Sequence, residues 1–159
     1  MKSYQELWQS LTPLYEASEA QAIVRLVLEV KYGMTLTDII GGKVNELSAD
    51  EGKKLEEIIE RLQNAEPVQY VLGQTDFMGM TFHVEPGVLI PRPETAELCQ
   101  WIIDAEKEKM EKAQLLLHTQ DTKRPNMGKG EGLYELRIVD FCTGSGCIAI
   151  TLNLSIPHS

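Results

Sequence analysis

The sequence of 159 residues predicts an α+β fold. Helix-capping signals and apolar stripes recur up to residue 72, so an N-terminal helical bundle is expected. Apolar and polar residues then alternate, which predicts a β-hairpin. Near the end, an apolar run meets a glycine-rich turn, a pattern typical of the first strand and helix of a parallel-sheet domain. We therefore divide the chain into three segments, 1–73, 74–90 and 91–159.

The helical segment is predicted from its capping boxes, in which the first and fourth residues of a helix start satisfy each other's free backbone N–H groups. These boxes are Ser3-x-x-Glu6, Ser18-x-x-Gln21 and Ser48-x-x-Glu51, and Thr35 or Thr37 can start a shorter helix through Ile40. Gly33 is expected to end the second helix in a left-handed conformation. A packed bundle explains these apolar residues without a cofactor, and recognition of another protein is its natural further role.

The middle of the chain, DFMGMTFHVEPGVLIPRPET, combines a hairpin signal with a stiff proline-bracketed stretch. Gly79 is expected near the hairpin turn. Pro91 and Pro93 favour an extended backbone, and Pro93 suits the first position of a helix that continues through Ala105. Taken alone, this stretch favours an ordinary helix start. Residues 111–135 lose periodicity after Leu117, and we expect a polar loop there without chemistry.

The stretch IVDFCTGSGCIAI predicts a strand, a tight turn and a helix start. Residues 136–141 have the composition of a buried parallel strand, and the turn offers backbone N–H groups to an anionic ligand. Gly144-x-Gly146-x-x-Ala149 also fits the loose dinucleotide pattern, although a single match of this kind is weak. Cys142 and Cys147 are interpreted as small buried thiols rather than as a redox pair.

The bulk composition excludes several classes of protein. A net charge of −9 argues against a protein that coats nucleic acid. Three cysteines without a Cys-x-x-Cys pair, and three scattered histidines, predict neither a disulfide framework nor a metal site. The sequence has no signal peptide and no apolar stretch of membrane-spanning length, so we expect a cytoplasmic protein that contacts no membrane.

The order of these pieces resembles the HemK/PrmC family, whose members methylate the glutamine of the Gly-Gly-Gln motif in peptide chain release factors. The resemblance covers the chain except residues 111–135, and LIPRPET is its most specific piece. It implies a helical substrate-recognition domain, a hairpin linker and the start of a truncated Rossmann-like methyltransferase domain. It also implies S-adenosylmethionine as cofactor, a release factor as protein substrate, and a monomer without bound nucleic acid.

The resemblance also assigns the cofactor site. Phe77 and Phe82 help to close the pocket in this interpretation, and Pro91 and Pro93 border it. The cofactor-binding residues that the resemblance implies are Asp140, Cys142, Thr143, Gly144, Ser145 and Gly146, with Arg92 and Thr95 on the opposite wall.

Three departures from the family pattern limit this assignment. Cys142 stands where the family more often has glycine, and the loop at 111–135 is longer than expected. The Asn-Pro-Pro-Tyr motif and the acid expected on the ribose are absent, so no catalytic residue is assigned. A βαβ unit takes roughly 30 residues, more than follow Leu136. We therefore expect an N-terminal piece of a longer enzyme, which neither binds cofactor tightly nor transfers methyl groups.

Three alternatives remain open at this stage. The substrate could be a glutamine of a large-subunit ribosomal protein, which an assay on both substrates would distinguish. The helical segment could be a protein-binding module without catalysis. An NAD(P) oxidoreductase would explain the glycine turn but not LIPRPET. The sequence that follows the turn would decide between an oxidoreductase and a methyltransferase.

Overall fold

A computed structural model describes residues 2–119, 137–141 and 143–156, without the side chains of 113, 114 and 116–119. This part of the chain is mostly helical, with one two-stranded sheet, which confirms the α+β prediction in its coarse form. The helices are α1 (Tyr4–Gln9), α2 (Ala17–Tyr32), α3 (Leu36–Ile40), α4 (Ala49–Gln63), α5 (Val68–Leu72), α6 (Pro93–Thr119) and α7 (Cys147–Ser155). The strands are β1 (Gln74–Phe77) and β2 (Met80–His83).

The chain forms two compact units. Unit 1 consists of Met1–Gln74 and Val84–Pro86, and unit 2 consists of Thr75–His83 and Gly87–Ser159. Most of the hairpin therefore groups with the C-terminal unit, while the residues after β2 return to the helical one. In the described ranges, no helix combines the length and apolar character that crossing a membrane requires.

The capping boxes of unit 1 explain where three of its helices begin. Ser3, Thr35 and Ser48 each accept a hydrogen bond from a backbone N–H in the first helical turn. In return, the acid three residues later accepts one from the cap's own N–H, at distances of 2.7, 2.9 and 2.9 Å. These reciprocal bonds satisfy donors that a helix start otherwise leaves free, and they confirm the predicted starts.

The capping box predicted at Ser18 is wrong. Helix α2 begins at Ala17 after Glu16, which makes no side-chain capping bond, so Ser18 lies inside the first turn. The helix starts earlier because its burial, rather than its cap, determines its position. Ala20, Val24, Val27 and Leu28 are all fully buried, as expected of a central bundle helix. Gly33 ends α2 in the left-handed conformation, as predicted.

The hydrophobic core of unit 1 gathers residues from every helix of the unit. Helical periodicity predicts an apolar stripe of Leu55, Ile58, Ile59 and Leu62, and on α4 Leu55, Ile59 and Leu62 are buried while Ile58 packs partly buried against the core. The buried members of the core are Leu7, Leu11, Ala20, Val24, Val27, Leu28, Met34, Ile39, Val44, Leu55, Ile59, Leu62, Val71 and Leu72. Trp8 packs against it, whereas the second tryptophan, Trp101, is exposed on α6 in unit 2, so the fluorescence of Trp8 in a Trp101→Phe background reports on this unit. The predicted helical bundle is thus confirmed.

Two cations fix the short helix α5, which leads into β1. Lys31 Nζ donates to the Leu72 carbonyl at 3.0 Å, at the end where the helix leaves carbonyls unpaired. Arg61 forms a two-pronged ion pair with Glu66, at 2.6 and 2.7 Å, which lowers the pKa of Glu66. Val84 then donates its N–H to the Gly73 carbonyl at 3.1 Å, so both ends of the hairpin are held in unit 1.

The capping acids make the stability of unit 1 sensitive to low pH. Hydrogen bonds from the Thr35 side chain and backbone, and then from Lys43, lower the pKa of Asp38 to about 2. A carboxylate with a lowered pKa contributes stability that is complete above its unfolded pKa and lost as pH falls through the folded one. We expect the urea midpoint, followed by Trp8 fluorescence, to hold above about pH 5 and to fall between about pH 4 and pH 2. Asp38→Asn should reduce that fall, and an unchanged pH profile in this variant would contradict the assignment.

The hairpin of unit 2 turns at Met78 and Gly79, which have φ values of 50° and 77°. Two consecutive positive φ values match the twist of an antiparallel hairpin, and glycine accepts this conformation without strain. The predicted hairpin with Gly79 at its turn is confirmed. Phe77 and Phe82 meet edge to face, with ring centroids 6.0 Å apart. They belong to a buried cluster with Cys99, Ile103, Cys147, Leu152 and Ile156.

Helix α6 begins at Pro93, as predicted, but it is longer than expected. It continues to Thr119, so residues 111–119 are helical rather than part of a loop. No glycine or proline interrupts this stretch, and ion pairs between Glu106 and Lys109 and between Glu108 and Lys112 support it. The remainder of the expected loop, 120–135, lies outside the described residues.

The buried strand predicted at 136–141 is not observed in the described part of that range. Residues 137–141 have no strand hydrogen bonding, and Val139 and Phe141 are 72% and 85% exposed. A parallel strand exists only when a neighbouring strand supplies its hydrogen bonds, and the only sheet among the described residues is the hairpin. The β-branched composition therefore indicates strand propensity, but no neighbouring strand pairs with this segment among the described residues.

Candidate functional site

The glycine turn of unit 2 is built by two left-handed residues. Gly144 and Gly146 have φ values of 56° and 75°, and the Gly146 N–H donates to the Thr143 carbonyl at 2.9 Å. Ile150 donates to the Gly146 carbonyl at 3.0 Å, which starts α7 directly after the turn. The predicted turn followed by a helix start is therefore present, with the helix beginning at Cys147.

The two glycines face different surroundings. A Cβ atom on Gly144 would meet no atom of the described residues within 4 Å, so these residues leave this side of the turn open. A Cβ atom on Gly146 would lie 3.3 Å from Ile150 Cδ1, so that side packs against its own helix. The turn thus exposes bare backbone on one side, which allows a ligand to approach closely.

The start of α7 supplies hydrogen-bond donors. No side chain caps this helix, because Gly146 occupies the N-cap position. The backbone N–H groups of the first turn carry a partial positive charge and suit a carboxylate or phosphate. The helix is nine residues long and apolar, so its donors rather than charged side chains define the site's chemistry.

Asp140, just before the turn, is half-buried, and its Oδ2 atom is buried without a hydrogen-bond partner among the described residues. A buried carboxylate oxygen without a donor is costly, so it fits a ligand that brings an ammonium or hydroxyl group. Burial first, and then the neighbouring Cys147 and Asp140, raise the pKa of Cys99.

The opposite predicted wall consists of Arg92 and Thr95 at the start of α6. Arg92 is exposed and Thr95 half-buried, and the Arg92 carbonyl accepts the N–H groups of Thr95 and Ala96 at 3.0 and 3.3 Å. These bonds close the first turn of α6. In the described ranges, no hydrogen bond joins Arg92 or Thr95 to residues 143–146. The association of this wall with the turn stays a prediction, and Cys142 lies outside the described residues.

Several residues have roles that sequence reasoning did not anticipate. Phe77 and Phe82 lie in the core, so little of their surface is left for a ligand. Cys99 is fully buried one helical turn after Thr95, and this spacing was the only sequence signal for its position. Thr151 is fully buried, and its hydroxyl has no partner among the described residues, which no sequence pattern indicated.

The residues present fit the carboxylate and ammonium groups of S-adenosylmethionine. The first turn of α7 offers donors for a carboxylate, and Asp140 offers an acceptor for an ammonium group. Gly144 leaves room for the amino-acid end of the ligand to approach the turn. In the described part of the chain, no group of three or more histidine, cysteine or acidic residues is placed to hold a metal ion.

The first comparison with known proteins concerns unit 1. Residues 7–73 match the model of the PrmC N-terminal domain. This range covers most of the helical unit and ends at the glycine that separates α5 from the hairpin.

The second comparison concerns the whole chain. The chain is 40% identical over 95% of its length to a release factor glutamine methyltransferase of Bacteroides thetaiotaomicron. It is 31% identical over its full length to one of Flavobacterium psychrophilum, and 31% over 94% to one of Coxiella burnetii. The matches span 45%, 49% and 45% of these relatives, so the chain spans about half of their length. The comparisons bear out the resemblance predicted from the sequence: residues 7–73 match the PrmC N-terminal domain, and the chain is similar to release factor glutamine methyltransferases over nearly its whole length.

Proposed function

We propose that the protein methylates the side-chain amide of the glutamine in the Gly-Gly-Gln motif of a peptide chain release factor. One observation carries this proposal: the similarity to release factor glutamine methyltransferases extends over nearly the whole chain, through both units. A binding module alone would account only for the match at residues 7–73.

The two units have separate tasks in this proposal. Unit 1 recognises the release factor, and unit 2 contributes the first part of the cofactor site. The donors of α7 hold the cofactor carboxylate, Asp140 holds its ammonium group, and Thr143–Gly146 supply the backbone between them. Arg92 and Thr95 at the start of α6 border the same site. S-Adenosylmethionine, when bound, supplies an electrophilic methyl group on its sulfonium.

An amide nitrogen is a poor nucleophile, so positioning contributes more to this reaction than a strong base. The described residues of the site fit that requirement, because they offer backbone donors and one carboxylate rather than a histidine base. The residues that hold the substrate glutamine are not assigned in this chain.

We further propose that the chain of 159 residues binds S-adenosylmethionine weakly. The segment before the turn has no neighbouring strand among the described residues, and its apolar side chains are exposed. A turn without a sheet behind it is poorly preorganised, and ordering it on binding costs affinity. Calorimetry should therefore show a dissociation constant weaker than roughly 100 μM, whereas binding in the low micromolar range would contradict this proposal.

The choice of substrate can be tested with the same chain. The immobilised full chain should retain an unmethylated release factor saturably, and it should not retain the unmethylated form of a large-subunit ribosomal protein whose glutamine is a methylation target. The reverse preference would favour the ribosomal substrate and contradict our proposal. The proposed substrate acts in translation, so we also propose a cytoplasmic monomer as the working form.

A further inference from the structure

The interface between α6 and α7 contains two free cysteines, Cys99 and Cys147. Cys99 is completely buried, and Cys147 is 7% exposed. Both belong to the buried cluster of unit 2, in which Ile103 lies one turn after Cys99 on α6, and Leu152 lies on α7. The two helices pack against each other, and both thiols lie in the buried cluster that the two helices share.

We propose that Cys99 and Cys147 are a site of reversible disulfide formation, which links the first residue of α7 to α6. Cysteine is small, and small residues at a helix crossing let the backbones approach to the separation that a disulfide needs. The thiols also influence each other electrostatically, since Cys147 contributes to the raised pKa of Cys99.

The reaction is a thiol–disulfide exchange with a low-molecular-weight disulfide as oxidant. Cys147, the less buried thiol, loses its proton to water and attacks the oxidant, which releases one small thiol and leaves a mixed disulfide. Cys99 then loses its proton and attacks the Cys147 sulfur, which releases the second small thiol. Two cysteine thiols are oxidised and one small disulfide is reduced, so the exchange balances.

The order of the two steps follows from burial. The turn before Cys147 contains two glycines, and the Gly144 side of it is open, so an oxidant reaches Cys147 by opening of the turn. Burial and the nearby Asp140 disfavour the Cys99 thiolate, so the second step is the slower one. The product fixes the start of α7, which carries the donors of the proposed cofactor site.

The test uses the full chain incubated with oxidised glutathione, followed by alkylation with iodoacetamide in denaturant without reductant, and mass spectrometry. We expect a loss of about 2 Da and alkylation of one cysteine instead of three, with Cys99 and Cys147 joined in the tryptic map and separated by dithiothreitol. Cys142→Ser should retain the cross-link, and Cys99→Ser and Cys147→Ser should each abolish it. A bond that includes Cys142, or glutathione adducts without an internal bond, would overturn the proposal.

A structural control covers the case in which a serine disturbs folding. Cys99→Ala and Cys147→Ala keep the sites apolar, and their circular dichroism should match that of the parent chain. If these variants fold and still lose 2 Da with oxidised glutathione, the bond does not join Cys99 to Cys147 and the proposal is wrong. The readout does not depend on methyl transfer, so a failure here leaves the proposed function intact.

Discussion

Replacing Leu62 with alanine is expected to destabilise unit 1 by roughly 2–5 kcal/mol. Leu62 is 0% exposed and lies on the buried stripe of α4, in contact with the core that also holds Leu28. The substitution removes buried apolar volume and leaves a cavity, because helices fixed by capping boxes collapse only partly into the space. This loss is a large part of the stability of a domain of this size.

The measurement is urea unfolding in a Trp101→Phe background, followed by the fluorescence of Trp8, which packs against the same core. Leu14→Ala is the matched control, because Leu14 is 53% exposed and its truncation should cost within about 0.5 kcal/mol. Equal losses in the two variants would show that the core is not organised around α4 as described.

Replacing Phe82 with alanine is expected to have a comparable effect on unit 2, roughly 3–5 kcal/mol. Phe82 is 5% exposed, and its ring meets Phe77 edge to face inside the buried cluster. Truncation removes this aromatic pair together with the contacts to the cluster that also includes Cys99 and Cys147. The interface between α6 and α7 should then open more often.

The two buried thiols provide the measurement. Labelling of Cys99 and Cys147 with a thiol reagent should accelerate at least tenfold in Phe82→Ala, since labelling requires opening of the cluster. Phe141→Ala removes the same side chain from a position that is 85% exposed and should leave the labelling rate nearly unchanged. An unchanged rate in Phe82→Ala would mean that the hairpin does not contribute to this core.

Much of the helical unit could be predicted from sequence because its signals are local. Capping boxes at Ser3, Thr35 and Ser48 depend on residues three positions apart, and the α4 stripe depends on helical periodicity. The predicted start of α2 is wrong because it depends on packing against other helices rather than on a local signal. Burial of Val24 and Leu28 against other helices determines where α2 begins, and a capping pattern does not contain that information.

The segment before the glycine turn shows more clearly what composition alone does not predict. Its apolar, β-branched composition correctly indicates strand propensity, but a strand also needs a neighbour, which composition does not specify. Residues 137–141 therefore remain without strand pairing in the described structure. The turn itself could be predicted, since Gly144 and Gly146 encode its left-handed geometry directly. The burial of Cys99 could not be predicted, because it depends on how α6 packs.

The central claim is that the turn at 143–146, with Asp140 and the start of α7, binds S-adenosylmethionine. The most direct test is an ¹⁵N-edited NMR titration of the full chain with S-adenosylmethionine at millimolar concentration, and with NADH in parallel. The account predicts saturable shifts of the Thr143–Gly146 amides with S-adenosylmethionine only, and their loss in Gly146→Val, where a Cβ would press on Ile150. Shifts of these amides with NADH but not with S-adenosylmethionine, or shifts confined to other parts of the chain, would contradict it.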